Sequence, residues 1–234
     1  MGGWSRENVS RADEIRAGIA ALEARIAAAC SRAGRAREDV RLVAVSKTFP
    51  ATDVEHAIAA GMTDIGENKV QETRDKKPLV GGPVENNIRW HLIGHLQSNK
   101  AKDAVRLFDV IQAVDSIELA EKIARAAESA GKRQDVLLQV NIGRELQKSG
   151  AAPDSVPELA RRMAALPFLR LGGLMAIPPA GEAEAMRPYF RELRAMRDDL
   201  GLTELSMGMT DDFEVAIEEG ATIIRVGRAI FGSR

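Results

Sequence analysis

Near the N-terminus, Ile15, Ile19, Leu22 and Ile26 recur at steps of three and four, and Cys30 continues the stripe. That spacing puts all five on one face of a helix. Ser10 is placed to cap its start and Gly34 to end it, so a helix is predicted over about residues 10–33. Beyond it the pattern changes to short runs of Val, Ile and Leu that read as buried strands. Six are clear: Leu42–Val45, Ile88–Ile93, Leu107–Ile111, Val136–Val140, Leu169–Met175 and Thr222–Val226. Thr63–Ile65 and Glu204–Met207 are weaker candidates. Helical stretches lie between the runs. Several open on a capping signature (Thr52 with Glu55, Asp115 with Glu118, Ser155 with Glu158, Asp211 with Glu214), and several close on glycine at 61, 131, 201 and 220.

Counting both weak candidates, eight strands alternate with helices. This predicts an α/β protein: one (β/α)₈ TIM barrel with an extra N-terminal helix, a single domain over residues 1–234. An open doubly wound sheet is the alternative. Residues 76–87 (KKPLVGGPVENN) read as the one obvious surface loop.

Composition narrows the function classes. Thirty-three Lys and Arg balance 34 Asp and Glu, for a net charge of −1. A global basic field for nucleic acid is absent, so no nucleic-acid partner is expected. The single cysteine excludes an internal disulfide and a multi-cysteine metal site, and suits a reducing cytoplasm. The first 16 residues are too charged for a signal-peptide core, and no run approaches the roughly 20 apolar residues of a membrane helix. A cytoplasmic protein without a membrane partner is expected.

In barrels the chemistry sits at the C-terminal ends of the strands. Alternation along the first strand puts Val43, Val45 and Lys47 on one face, with the lysine at the barrel mouth. A lysine in apolar surroundings is a nucleophile able to form a Schiff base with a carbonyl substrate or with pyridoxal phosphate. A lysine that has simply left the sheet into solvent fits the spacing equally well. Ser206-Met207-Gly208 after the seventh strand and Gly227-Arg228 after the eighth could hold a phosphate on backbone N–H groups, or be ordinary turns. Asp211 nearby reads as a helix cap. Arg225 lies within an apolar strand and must be paired, either with a carboxylate or with a ligand ring nitrogen.

The other candidates carry less. His91 and His95 straddle the end of the third strand and could line a cavity, whereas His56 falls on an exposed helix. Cys30 reads as packing, and the lone Tyr189 falls in a helix away from the mouth. Residues 143–149 (GRELQKS) imitate a phosphate loop but have Gln147 where glycine is required.

Together these segments resemble a known family. Val43-Ala44-Val45-Ser46-Lys47-Thr48 is similar to the lysine-bearing first strand of the pyridoxal phosphate homeostasis proteins, which resemble the N-terminal barrel of alanine racemase. Gly66-Glu67-Asn68, residues 90–97 (WHLIGHLQ), Gln139-Val140-Asn141, Lys148-Ser149-Gly150, residues 173–178 (GLMAIP), residues 205–212 (LSMGMTDD) and residues 226–232 (VGRAIFG) match in order. The likeness spans about residues 10–234. It implies pyridoxal 5′-phosphate (PLP) as cofactor, held as a Schiff base on Lys47. It also implies a phosphate cradle from Ser206, Met207, Gly208, Gly227 and Arg228, Arg225 facing the pyridine nitrogen, and Asn68 in a lining loop. Arg228 departs from the threonine often found there. The implied function is intracellular vitamin B6 homeostasis, with PLP-dependent apoenzymes as possible recipients. An amino-acid racemase is the alternative. Alanine racemase, however, takes a catalytic tyrosine from a second domain, for which this sequence shows no match. A monomer without demonstrated catalysis is the expectation.

Overall fold

The computed structural model describes residues 9–81 and 88–233. The apolar runs become eight parallel strands: β1 (Arg41–Val45), β2 (Asp64–Glu67), β3 (Arg89–Leu92), β4 (Val110–Val114), β5 (Gln134–Val140), β6 (Leu169–Ala176), β7 (Glu204–Ser206) and β8 (Ile223–Val226). Each pairs with the next, and β8 pairs back onto β1 through Val43–Arg225 and Ala44–Val226. That last pairing closes the barrel and excludes the open sheet.

The helices are α1 (Arg11–Arg32), α2 (Ala51–Ala59), α3 (Val70–Lys76), α4 (Ala101–Leu107), α5 (Ile117–Ser129), α6 (Val156–Ala164), α7 (Arg187–Asp199), α8 (Phe213–Glu218) and α9 (Arg228–Phe231). Gly61 and Gly131 follow α2 and α5 at φ 97° and 64°, a left-handed turn that glycine adopts without a Cβ penalty.

α1 is the extra N-terminal helix. Ser10 accepts the Asp13 N–H at its start, and the stripe Ile15, Ile19, Leu22, Ile26 and Cys30 is buried. Burial pushes the Cys30 thiol pKa up, in keeping with a packing role. Arg11 pairs with Asp53 of α2 at 2.6 Å and donates to the Phe231 carbonyl of α9 at 2.8 Å. The helix therefore braces the two elements that flank the β8–β1 seam.

The barrel has two apolar layers. The larger lies between strands and helices, and a small inner cluster of Val43, Ala113, Leu137, Met175 and Ile223 fills part of the lumen. Polar side chains occupy the rest.

Several expectations are corrected. Leu107 ends α4 and β4 begins at Val110, so Gln112 lies within the strand rather than after it. Among the capping signatures, the N-caps of α2, α5 and α8 are Pro50, Ser116 and Asp212, each one or two positions from the expected residue. Ser155 precedes α6, but its hydroxyl donates to the Ala152 carbonyl instead of capping the helix. Lys76 belongs to α3 and is buried, so the expected loop begins later; its residues 82–87 lie outside the described residues.

Candidate functional site

The C-terminal strand ends surround a cup of about 750 Å³. Five of the expected residues line it: Lys47, Asn68, Arg225, Gly227 and Arg228. Val43 sits in the inner cluster, and Val45 and Lys47 line the cup above it, as alternation requires. Lys47 is exposed in the mouth, so the apolar enclosure anticipated for it is replaced by an open rim.

The turn carrying Lys47 is held from below. Thr48 adopts φ 65°, unusual for a β-branched residue. Its N–H donates to Glu72 of α3. Lys76 Nζ donates to the Ser46 carbonyl at 2.8 Å and to Glu67 Oε1 at 2.5 Å, and Ser46 Oγ donates to the same oxygen at 2.5 Å. Glu67 Oε2 meets no donor among the described residues. Burial raises the Glu67 pKa above its ordinary value, although Lys76 and Ser46 pull it down. Sequence reasoning misses this cluster because Lys76 reads as a loop residue.

The β7 and β8 ends divide the expected cradle. Gly227 faces the cup; a Cβ there would stand 3.0 Å from the Val45 carbonyl oxygen. Exposed Arg228 pairs with Asp211 on the rim, so Asp211 is an ion-pair partner and not a cap. The Ser206 side chain, in contrast, is fully buried beneath the cup and committed to protein partners, and Met207 packs in the outer core. Gly208, at φ 92°, packs against α8, where a Cβ would stand 2.6 Å from that of Ala216. Thr210 is the hydroxyl residue that lines the cup here. The sequence signal for it was a second hydroxyl residue in the same turn.

Beneath the floor a chain of buried polar side chains crosses the lumen. Arg225 Nη1 donates to Ser206 Oγ at 2.5 Å, and Ser206 donates to Gln112 Oε1 at 2.6 Å. Gln112 Nε2 lies 2.9 Å from His91 Nδ1, and His91 Nε2 lies 2.8 Å from Asp64 Oδ1. Arg225 Nη2 also donates to the Ala176 carbonyl at 2.9 Å. Burial pulls the Arg225 pKa down to about 10, so it remains a cation at neutral pH. Burial also lowers the His91 pKa, outweighing Asp64, and keeps the ring neutral. For Asp64 burial acts upward, but the His91 and Thr63 hydrogen bonds and nearby Arg41 leave the net shift downward.

The histidines therefore separate: His91 is interior and His95 is on the rim. The segment set aside as a false phosphate loop also reaches the rim through Gln147, Lys148 and Ser149. Tyr189 packs against the outer core from α7.

Comparison with known proteins extends this picture. Residues 13–234 match the family model described as alanine racemase, N-terminal domain. A Pseudomonas aeruginosa protein named pyridoxal phosphate homeostasis protein is 44% identical over 219 residues, covering 92% of this chain and 94% of its own. The chain belongs to the pyridoxal phosphate homeostasis protein family. Two solved structures place this family member among close structural relatives. A structure described as an unknown protein from Bifidobacterium adolescentis superposes with a TM-score of 0.88 at 40% identity, covering 98% of each chain. PipY of Synechococcus elongatus PCC7942, solved with PLP bound, gives a TM-score of 0.81 at 36% identity, covering 93% of this chain and 100% of that one. Among the described residues of this family member, no helix is long and apolar enough to cross a membrane.

Proposed function

We propose that this protein binds PLP in the cup, anchors it as a Schiff base on Lys47, and stores and releases it within vitamin B6 homeostasis. The observation that carries the reading is that Lys47, in the turn after β1, and the buried Arg225, on neighbouring β8, open onto one cup of adequate size. When bound, PLP supplies an aldehyde that condenses with an amine, with loss of water. Lys47 supplies that amine from a clamped turn. Gly227, Arg228 and Thr210, all lining the cup, would hold its phosphate through a close backbone, a cation shared with Asp211 and a hydroxyl. Ser206, Met207 and Gly208 support that wall from behind. Asn68 flanks the cup beside Gly94, where a Cβ would stand 2.4 Å from the Asn68 carbonyl oxygen.

Storage is favoured over racemisation by the placement of acid–base groups. Arg225 donates hydrogen bonds only and does not readily yield a proton to a ring nitrogen. Tyr189 lies off the cup. Lys148 on the rim is committed to Glu145 at 2.6 Å and to the Pro178 carbonyl at 3.1 Å. The proposal extends to a monomer in the cytoplasm that passes PLP to apoenzymes.

The test is incubation with PLP, borohydride reduction and peptide mass mapping. A visible band lost on reduction, with the added mass on the Lys47 peptide, is the expected result. Absence of any adduct overturns the reading. Solvent deuterium entering the α-position of alanine at an enzymatic rate would favour the racemase.

A further inference from the structure

We propose that Asp64, His91, Gln112 and Ser206 form a one-directional hydrogen-bond relay that gives Arg225 a remote counter-charge and fixes its guanidinium under the cup. Among the described residues, no carboxylate forms a hydrogen bond or ion pair with Arg225; its bonds go to Ser206 Oγ and the Ala176 carbonyl. A buried cation held only by neutral acceptors is costly. Asp212 contributes charge at a distance, but its Oδ1 is occupied by the Met209 N–H at 2.6 Å.

The chemistry of the two ends dictates the direction of the relay. Arginine only donates, so Ser206 Oγ accepts from it and spends its single proton on Gln112 Oε1. The Gln112 amide nitrogen must then donate, which makes His91 Nδ1 the acceptor. His91 carries its proton on Nε2 and donates to Asp64, which only accepts. Reversing Gln112 would strand the Ser206 proton and demand a charged imidazole in the lumen. Four hydrogen bonds therefore point the same way from cation to carboxylate, an arrangement in which each bond polarises the next. Asp64 is secured at the far end by Thr63 Oγ1 at 2.8 Å and by Arg41 at 3.6 Å. The four are positioning residues: they act on a ligand through Arg225 alone.

The spectral arm of the test rests on the proposed PLP site, and a ligand-free arm stands apart from it. In the ligand-free protein, ¹⁵N NMR of the His91 ring is expected to show the neutral Nε2–H tautomer from about pH 7 to about pH 8. A cation or an Nδ1–H tautomer there overturns the relay whatever PLP does. With PLP, Asp64→Asn and Gln112→Leu are each expected to shift the visible absorbance maximum and weaken binding about three- to tenfold. The double variant is expected to match Gln112→Leu alone, because a relay already cut transmits nothing from Asp64. Additive effects in variants that keep wild-type circular dichroism overturn the relay and leave PLP binding intact. If the wild-type protein takes up no PLP, the proposed function fails, and the tautomer alone decides the relay.

Discussion

At the scale of single residues, Lys47 and Ser206 exchange the burdens their sequence positions suggested. Lys47 is exposed, so Lys47→Ala should abolish the borohydride-trapped adduct while leaving thermal stability within about 0.5 kcal/mol of wild type. A large drop in melting temperature would show that the side chain supports the fold instead. Ser206 lies under the cup, where its hydroxyl joins Arg225 to Gln112. Ser206→Ala leaves two buried groups short of a partner and should cost about 1–3 kcal/mol of stability in urea titrations. Thr210→Val should be nearly neutral in stability but weaken PLP more than it weakens pyridoxal, which lacks the phosphate. Equal losses for the two ligands would remove Thr210 from the phosphate wall. The sequence pointed to a turn that does reach the cup, through Thr210. It could not tell which hydroxyl faces out, because in that turn direction depends on Gly208 at φ 92° and not on alternation.

At the scale of elements, helix stops and strand runs were legible because each is a local signal. The β4 boundary was not. Val105, Leu107, Phe108, Val110 and Ile111 form an apolar patch that contains both the last turn of α4 and the first half of the strand. The clamp on the Lys47 turn was also hidden, since it joins the turn after β1 to β2 and α3 through side chains whose type suggests exposure. Lys76 neutralises Glu67 in a buried pair, with Lys76 itself only 7% exposed. Lys76→Met should therefore cost about 3–5 kcal/mol, because Glu67 would be left buried without its cation, either charged or forced to take up a proton. Adding Glu67→Met to the same chain should recover most of that loss. Denaturant unfolding of both variants checks this; failure of the second substitution to restore stability would mean that Lys76 acts through the Ser46 carbonyl.

At the scale of the whole molecule, the barrel joins its two faces through the lumen and its seam through α1. The lumen chain was beyond sequence reasoning, since Gln112 and Ser206 are 94 positions apart. It carries a pH signature. The folded state holds His91 below its ordinary pKa, so between that lowered value and about 6.5 the unfolded chain binds the extra proton. Stability is thus expected to fall as pH drops below about 6.5, and His91→Gln should flatten that segment. Asp64, held low, adds a second loss at more acid pH, as its carboxylate protonates through its folded pKa. A His91→Gln profile that falls between about pH 7 and about pH 5 as steeply as the wild type would refute the His91 assignment.

The seam gives the last prediction. Gly18 of α1 lies against α9, where a Cβ would stand 2.7 Å from the Ala229 carbonyl oxygen and 3.2 Å from that of Ile230. α9 begins at Arg228, directly after Gly227 on the cup wall. Helix propensity alone favours Gly18→Ala by about 1 kcal/mol. Contact with a backbone that cannot give way opposes it, by about 1–3 kcal/mol. The net expectation is a modest loss of stability together with weaker PLP retention, since displacing α9 carries Gly227 and Arg228 with it. Alanine substitution of Arg16, exposed on α1 and paired only at the surface with Asp13, should do neither. If Gly18→Ala lowered the melting temperature but left PLP affinity unchanged, α1 would brace the barrel without bearing on the cup, and the cup wall would owe its position to β8 alone.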